Sequence, residues 1–185
     1  MAVSSTYMKE DKKSTFEAIY KNESDAIFRF CLLRVSNREQ AIDITQETFL
    51  RLWQSLQSDK DILNSKAFLF TIARRLIIDW YRKKKSLSLD KMILDGKESG
   101  YDIEDENTNV DNTSSKAEGR YLVEKINELE ISYREPLYLR FVEDLSPPEI
   151  GKILGISANA ASVRINRGIS ELRKISGYSI DVNKK

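Results

Sequence analysis

Apolar positions recur every three to four residues through most of this chain, the period of helices with one buried face. Phe16, Ile19, Tyr20, Ile27, Phe30 and Cys31 predict a first helix, opened by a capping box of Ser14 and Glu17, with Asn22–Ser24 as the candidate break. Ser36 and Glu39 cap a second helix that runs to about Leu56, with Ile42, Phe49, Trp53 and Leu56 inward. The polar loop LQSDKDILN follows, and Ser65 opens a long third helix, KAFLFTIARRLIIDWYRKKKS. Its inner stripe is Leu69, Ile72, Ala73, Leu76 and Trp80, widened by Phe70, Ile77 and Tyr81. Residues 86–115 lose the period and are rich in Asp, Glu, Asn, Ser and Gly, the mark of a disordered linker. From Lys116 the period returns with Leu122, Val123, Ile126 and Leu129. Ser132 and Glu135 cap a further helix with Pro136 in its first turn and Leu137, Leu139, Phe141 and Val142 after it. Residues 1–13 and 177–185 carry no pattern and read as frayed ends.

The stretch from Leu145 to Lys174 is the most informative. Ser146 and Glu149 form a capping box, Pro147 and Pro148 fill the first turn, and Ile150, Ile153 and Leu154 share a face. Gly155 stands where a left-handed residue ends a helix, Ile156 is the apolar residue of the turn, and Ser157 caps the next helix. That second helix turns Ala161, Ile165 and Leu172 inward, with Ala158 and Ile169 near them, and Asn159, Ser162, Arg164, Asn166, Arg167, Arg173 and Lys174 outward. A short buttress helix, a Gly-containing turn and a polar, basic second helix make a helix-turn-helix, whose second helix enters the DNA major groove. An ordinary helical hairpin with a solvated basic face would show the same periodicity.

Composition narrows the chemistry. With seven Gly and three Pro in 185 residues, a turn-rich β protein is not expected. There is no His, the commonest general base near neutral pH, and the single Cys31 excludes an internal disulfide or a Cys-based zinc cluster. Cys31 lies in IFRFCLL and reads as a small core residue. No apolar run is long enough to cross a membrane and no signal peptide is evident, so a soluble, intracellular chain is expected. The acidic residues 90–111 lack calcium-loop spacing, and neither a metal nor any other cofactor is expected.

The net charge of +1 hides segregation. Residues 1–85 carry 16 Lys/Arg against 11 Asp/Glu, residues 86–115 two against eight, and residues 116–185 12 against 10. Two positive blocks flank an acidic spacer, which suggests nucleic acid at both ends. The balance is too even for strong independent binding, because phosphate contacts supply most non-specific affinity. The end of the third helix, Trp-Tyr-Arg-Lys-Lys-Lys, joins stacking rings to phosphate-seeking cations, a combination that binds single strands. The same residues would equally serve as core aromatics with cations complementing a helix dipole. On the second helix Asp43 and Glu47 share a face beside Gln46, either a solvated face or a docking surface for a basic partner.

DITQETFLRLW, then AFLFTIARRLIIDWYRKKK, then a helix-turn-helix in a separate domain closely resemble bacterial sigma-70-type RNA polymerase sigma factors, and the two-domain size resembles their extracytoplasmic-function (ECF) group. The resemblance spans about residues 14–175. It implies an all-α protein of two small helical domains, region 2 at 14–85 and region 4 at 116–176, joined by the flexible acidic linker. It implies that Asp43, Gln46 and Glu47 meet the β′ clamp helices of core polymerase, and that region 4 meets the β flap. The loop near Ser58–Lys66 and the helix after it would capture and melt the minus-10 promoter element, with Arg74, Arg75, Trp80, Tyr81, Arg82 and Lys83 as contacts. Asn159, Ala160, Ser162, Val163, Arg164 and Arg167 would read the minus-35 element. An anti-sigma partner is implied as well.

Three positions depart from the family pattern. Arg75 stands where Asn is usual, and Ala158-Asn159-Ala160 replaces an acidic-Gly-Thr start. Gly168 replaces the usual Ala, which should weaken the recognition helix by about 1 kcal/mol. The function expected is promoter recognition and opening as a polymerase subunit, with no enzymatic step of its own. An autonomous helix-turn-helix regulator is the alternative; it leaves DITQETFLRLW unused and offers no symmetric dimer interface. A carboxylate metal-dependent nuclease on residues 90–111 lacks a scaffold for its ligands.

Overall fold

The computed structural model describes residues 2–59, 61–95 and 114–176, with side chains for 11–59, 61–85 and 121–175. Regular structure among the described residues is helical throughout: α1 (Ala2–Val35), α2 (Arg38–Gln57), α3 (Ser65–Asp95), α4 (Ser114–Asn127), α5 (Ile131–Phe141), α6 (Pro147–Leu154) and α7 (Ala158–Ser176). The chain divides into two compact units, Met1–Asn107 and Thr108–Lys185. The expected spacer falls outside the described residues from 96 to 113, as does the expected loose tail from 177.

In the first unit α1, α2 and α3 pack against one another. Ile27, Phe30, Cys31, Leu52, Leu69 and Phe70 are fully buried at their centre. Phe30 and Phe70 meet edge to face at 4.9 Å, the arrangement their ring quadrupoles favour.

Several boundaries differ from the sequence expectation. α1 begins at Ala2 rather than at Ser14, and it is unbroken at Asn22–Ser24. Its early turns hold Met, Lys and Glu, all strong helix formers, and the Lys13–Glu17 pair lies one turn apart at 3.7 Å. Ser36 does not cap α2. It takes φ +49 and its N–H bonds the Leu32 carbonyl, so it terminates α1. Asn37 is the cap: its side-chain oxygen accepts from the Gln40 N–H at 2.9 Å.

The inward stripe of α2 also differs. Ala41, Ile44, Thr45, Thr48, Phe49 and Leu52 are buried, whereas Ile42 is exposed and Trp53 and Leu56 are half-buried. Thr45 and Thr48 reach the core because each hydroxyl donates to the carbonyl one turn back, Ala41 and Ile44, at 2.7 Å. On α3, Asn64 accepts from the Ala67 N–H at 2.8 Å and caps the helix that Ser65 begins. The α3 backbone then continues ten residues past Lys85, into the stretch read as linker.

In the second unit α7 packs on α4, α5 and α6. Ile126, Leu129, Leu137, Leu139, Ile150, Ala161, Ile165 and Leu172 form the core. α5 starts at Ile131, ahead of the predicted Ser132–Glu135 box, and Ser132 instead donates to the Glu130 carboxylate at 3.0 Å. The shift follows from Leu129, which is buried and whose carbonyl accepts from Arg134 Nε at 2.6 Å. Pro136 consequently lies inside α5 rather than in its first turn, fully buried. Gly168 of α7 faces α5 so closely that an added Cβ would lie 2.8 Å from Leu137 Cδ1 and 3.2 Å from Tyr133 Cβ.

Candidate functional site

The helix-turn-helix forms from short-range signals. The Glu149 carboxylate accepts from the Ser146 N–H at 2.6 Å and from its hydroxyl at 2.5 Å, closing the capping box that starts α6. Gly155 ends α6 at φ 70, which costs a glycine nothing, and the Ile156 N–H returns to the Gly151 carbonyl at 2.9 Å. Ser157 Oγ accepts from the Ala160 N–H at 3.1 Å and starts α7.

α7 presents the predicted minus-35 residues on its free side. Asn159, Val163, Arg164 and Arg167 are exposed, and Ala160 and Ser162 are half-buried. Ser162 donates its hydroxyl hydrogen to the Ala158 carbonyl at 3.0 Å, which leaves it only acceptor capacity outward. Ala161 and Ile165 anchor the opposite side; Ala158, placed near the inward set by the pattern, is exposed. A rigid helix with Asn, Val and Arg outward suits a groove lined with base edges and phosphates.

In the first unit α3 carries the other DNA candidates, some exposed and some partly covered by its neighbours. Arg75, Arg82 and Lys83 are exposed, Arg74 half-buried. Trp80 is half-buried, packs edge to face on Tyr81 at 4.8 Å, and carries the Lys84 ammonium 5.1 Å from its ring centroid. Tyr81 is 45% exposed, and its hydroxyl donates to the Arg34 main-chain carbonyl. Partial burial raises its pKa above the usual phenol value, with the Arg34 charge pulling the other way. Arg82 pairs with Asp79 at 3.1 Å.

On α2, Asp43 and Gln46 are exposed and Glu47 is half-buried, bound to Arg51 at 2.7 Å. Gln40 Nε2 approaches Asp43 Oδ2 at 3.5 Å. Ile42 and Leu50 are exposed on the same helix, so an acidic and polar ridge carries apolar contacts. Sequence reasoning passed over Leu50 and placed Ile42 inward. It also passed over Leu63, 91% exposed in the α2–α3 loop, where the adjacent apolar pair Ile62–Leu63 in a polar stretch was the available signal.

Comparison with known proteins decides the family. The Sigma-70 region 2 family model matches residues 19–87 and the Sigma-70, region 4 model matches residues 119–172. The ECF RNA polymerase sigma factor SigW of Bacillus subtilis is 30% identical over 175 residues, covering 90% of this chain and 91% of that protein. This chain belongs to the ECF sigma factors. It is thus a subunit that binds core RNA polymerase, directs it to promoters and promotes DNA melting at initiation. SigX of the same organism is 25% identical over 163 residues, covering 88% of this chain and 84% of its relative. Among solved structures, the sigma factor RpoE of Bartonella quintana, in complex with the anti-sigma factor NepR, shares the fold. Its TM-score is 0.61 at 22% identity, covering 89% of this chain and 98% of that one. Among the described residues of this sigma factor, no helix is long and apolar enough to cross a membrane.

Proposed function

We propose that this sigma factor divides its work between three surfaces. The exposed ridge of α2, with Asp43, Gln46 and Glu47, docks on the β′ clamp helices, and the second unit docks on the β flap. The α2–α3 loop and Arg74, Arg75, Trp80, Tyr81, Arg82 and Lys83 hold the minus-10 element and its separated strand. Asn159, Ala160, Ser162, Val163, Arg164 and Arg167 read the minus-35 element. One observation supports this assignment most: an aromatic and basic stretch within α3, with Tyr81, Arg82 and Lys83 exposed, in one unit accompanies a capped, polar and basic α7 in the other. An autonomous helix-turn-helix regulator has no use for the first of these.

The mechanism is binding rather than bond-making, so the chain itself is not an enzyme. Phosphate contacts from the cations hold the duplex, and bases that leave the stack regain stacking on aromatic rings. The site of action is the cytoplasm, and an anti-sigma factor is the proposed regulator, by likeness to the RpoE–NepR complex. An electrophoretic shift of promoter DNA with and without core polymerase tests the whole reading. Retardation by the chain only together with core supports it. A specific shift without core assigns an autonomous regulator, and cleavage of the DNA assigns an enzyme.

A further inference from the structure

α1 and α2 run antiparallel and mesh in steps of four residues. Tyr20 meets Phe49 with ring centroids 4.8 Å apart, and one turn earlier on α1 Phe16 meets Trp53 at 5.3 Å. One more turn on each helix places Lys12 at the C-terminal end of α2. There Lys12 Nζ lies 2.6 Å from Asp59 Oδ1 and donates to the Gln57 carbonyl at 3.3 Å.

The electrostatics of that contact are specific. The last carbonyls of a helix carry partial negative charge, and the Asp59 carboxylate adds a full one, so a cation is favoured at this point. The Lys12 side chain is only 20% exposed, while Asp59 is 69% exposed. Asp59 adopts φ +53, an uncommon conformation for a residue other than glycine. Its N–H bonds the Leu56 carbonyl at 3.3 Å and the Ser58 N–H bonds Gln54 at 3.1 Å, so the chain leaves α2 in a defined direction. The loop that follows exposes Leu63 before Asn64 caps α3. An unpaired carboxylate at its start would repel a phosphate backbone; Lys12 neutralises it.

We infer that Lys12 is a positioning residue for the promoter-reading loop, fixing Asp59 and with it the chain's exit from α2. The inference rests on the proposed minus-10 role of that loop. Because the ring contacts fix the register of α1 against α2, the cation's place is set before any DNA arrives.

The test uses the full chain with core polymerase on two template sets, one varied only in the minus-10 element and one only in the minus-35 element. Lys12→Met removes the charge and keeps an unbranched, helix-favouring side chain. The spread of open-complex formation across the minus-10 set should narrow by about 3-fold, the worth of one partly exposed ion pair. The minus-35 ranking should not change, and Lys12→Arg should restore the spread. Asp59→Asn should narrow it as well, with the double variant no worse than either single one. Leu63→Ala, which leaves the Lys12 contact alone, separates the positioning role of Lys12 from the role of the loop itself. If Leu63→Ala changes the minus-10 ranking and Lys12→Met does not, the positioning role is overturned while the loop assignment stands. If neither changes it, the loop does not read the minus-10 element and both fail. If Lys12→Met lowers the melting temperature and scales all templates equally, Lys12 only staples two helices and the inference is overturned.

Discussion

The Tyr81 hydroxyl donates to the main-chain carbonyl of Arg34, fastening the basic part of α3 to the last turn of α1. The Arg34 guanidinium lies 3.5 Å over the Phe30 ring centroid and donates to the Phe30 carbonyl at 3.0 Å. The phenol oxygen is thus structural, while part of the ring stays open beside Trp80.

Ring and hydroxyl can therefore be separated by mutation. Tyr81→Phe should cost about 0.5–1.5 kcal/mol of stability and leave single-strand affinity in place. Tyr81→Ala should additionally cost about 1–3 kcal/mol of single-strand affinity, the worth of one stacked base. Thermal melts and permanganate footprinting of the bubble read the two effects. Normal opening by a folded Tyr81→Ala variant would move the melting role to the loop Ser58–Lys66.

Asp43 and Glu47 differ in how far they are engaged, since Glu47 is bound to Arg51 and Asp43 has only a long approach from Gln40. Asp43→Lys alone should therefore remove most co-purification with core polymerase. Adding Glu47→Lys should abolish it, with helical content by circular dichroism unchanged. Undiminished co-purification of the double variant would take this ridge out of the interface.

Arg167 and Asn159, both exposed on α7, should behave differently. Arg167→Ala should weaken all promoters alike and lower the salt slope by about one unit, as expected for a phosphate contact. Asn159→Ala should re-rank minus-35 sequences, because an amide at a base edge carries sequence information. Identical sequence profiles for the two variants would contradict this division.

Gly168→Ala is expected to destabilise the second unit, although Ala is the better helix former by about 1 kcal/mol. The new methyl would meet Leu137 Cδ1 at 2.8 Å and Cγ at 3.0 Å. Overpacking of this kind costs about 1–3 kcal/mol, so the net change should be a loss. A raised melting temperature would mean that Leu137 yields at no cost.

Burial pushes the Cys31 thiol up from its ordinary value of 9.0 to about 11, with a Thr45 hydrogen bond and the Arg34 charge pulling it partly back. An unfolded chain loses that proton first. The associated stability is fully present below the ordinary thiol value and is lost as pH rises toward about 11. Denaturation midpoints measured across that window should fall more steeply for the natural chain than for Cys31→Ala. In the native protein the thiol should react slowly with alkylating reagents near about pH 8, where it is protonated and covered.

The helix-turn-helix was legible because its signals are local. The Ser146–Glu149 box, the left-handed Gly155 and the Ser157 cap each act within a turn of chain, and all three stand in the structure as the pattern placed them. The α2 face was misread because Thr45 and Thr48 count as polar in a pattern, yet bury once their hydroxyls bond back to the helix. Ile42 was left outside as the buried stripe turned toward them.

The sequence by itself determined the helical class, the two motif-bearing segments and the polar, basic face of α7, since period, caps and charge need no distant partner. Tertiary structure decided what depends on separated residues coming together. Lys12 has a use only because Asp59 lies beside it, Tyr81 divides into ring and hydroxyl only because Arg34 ends α1 there, and Gly168 is a packing requirement only against Leu137. Those contacts follow from helix register and close packing, which no local pattern encodes.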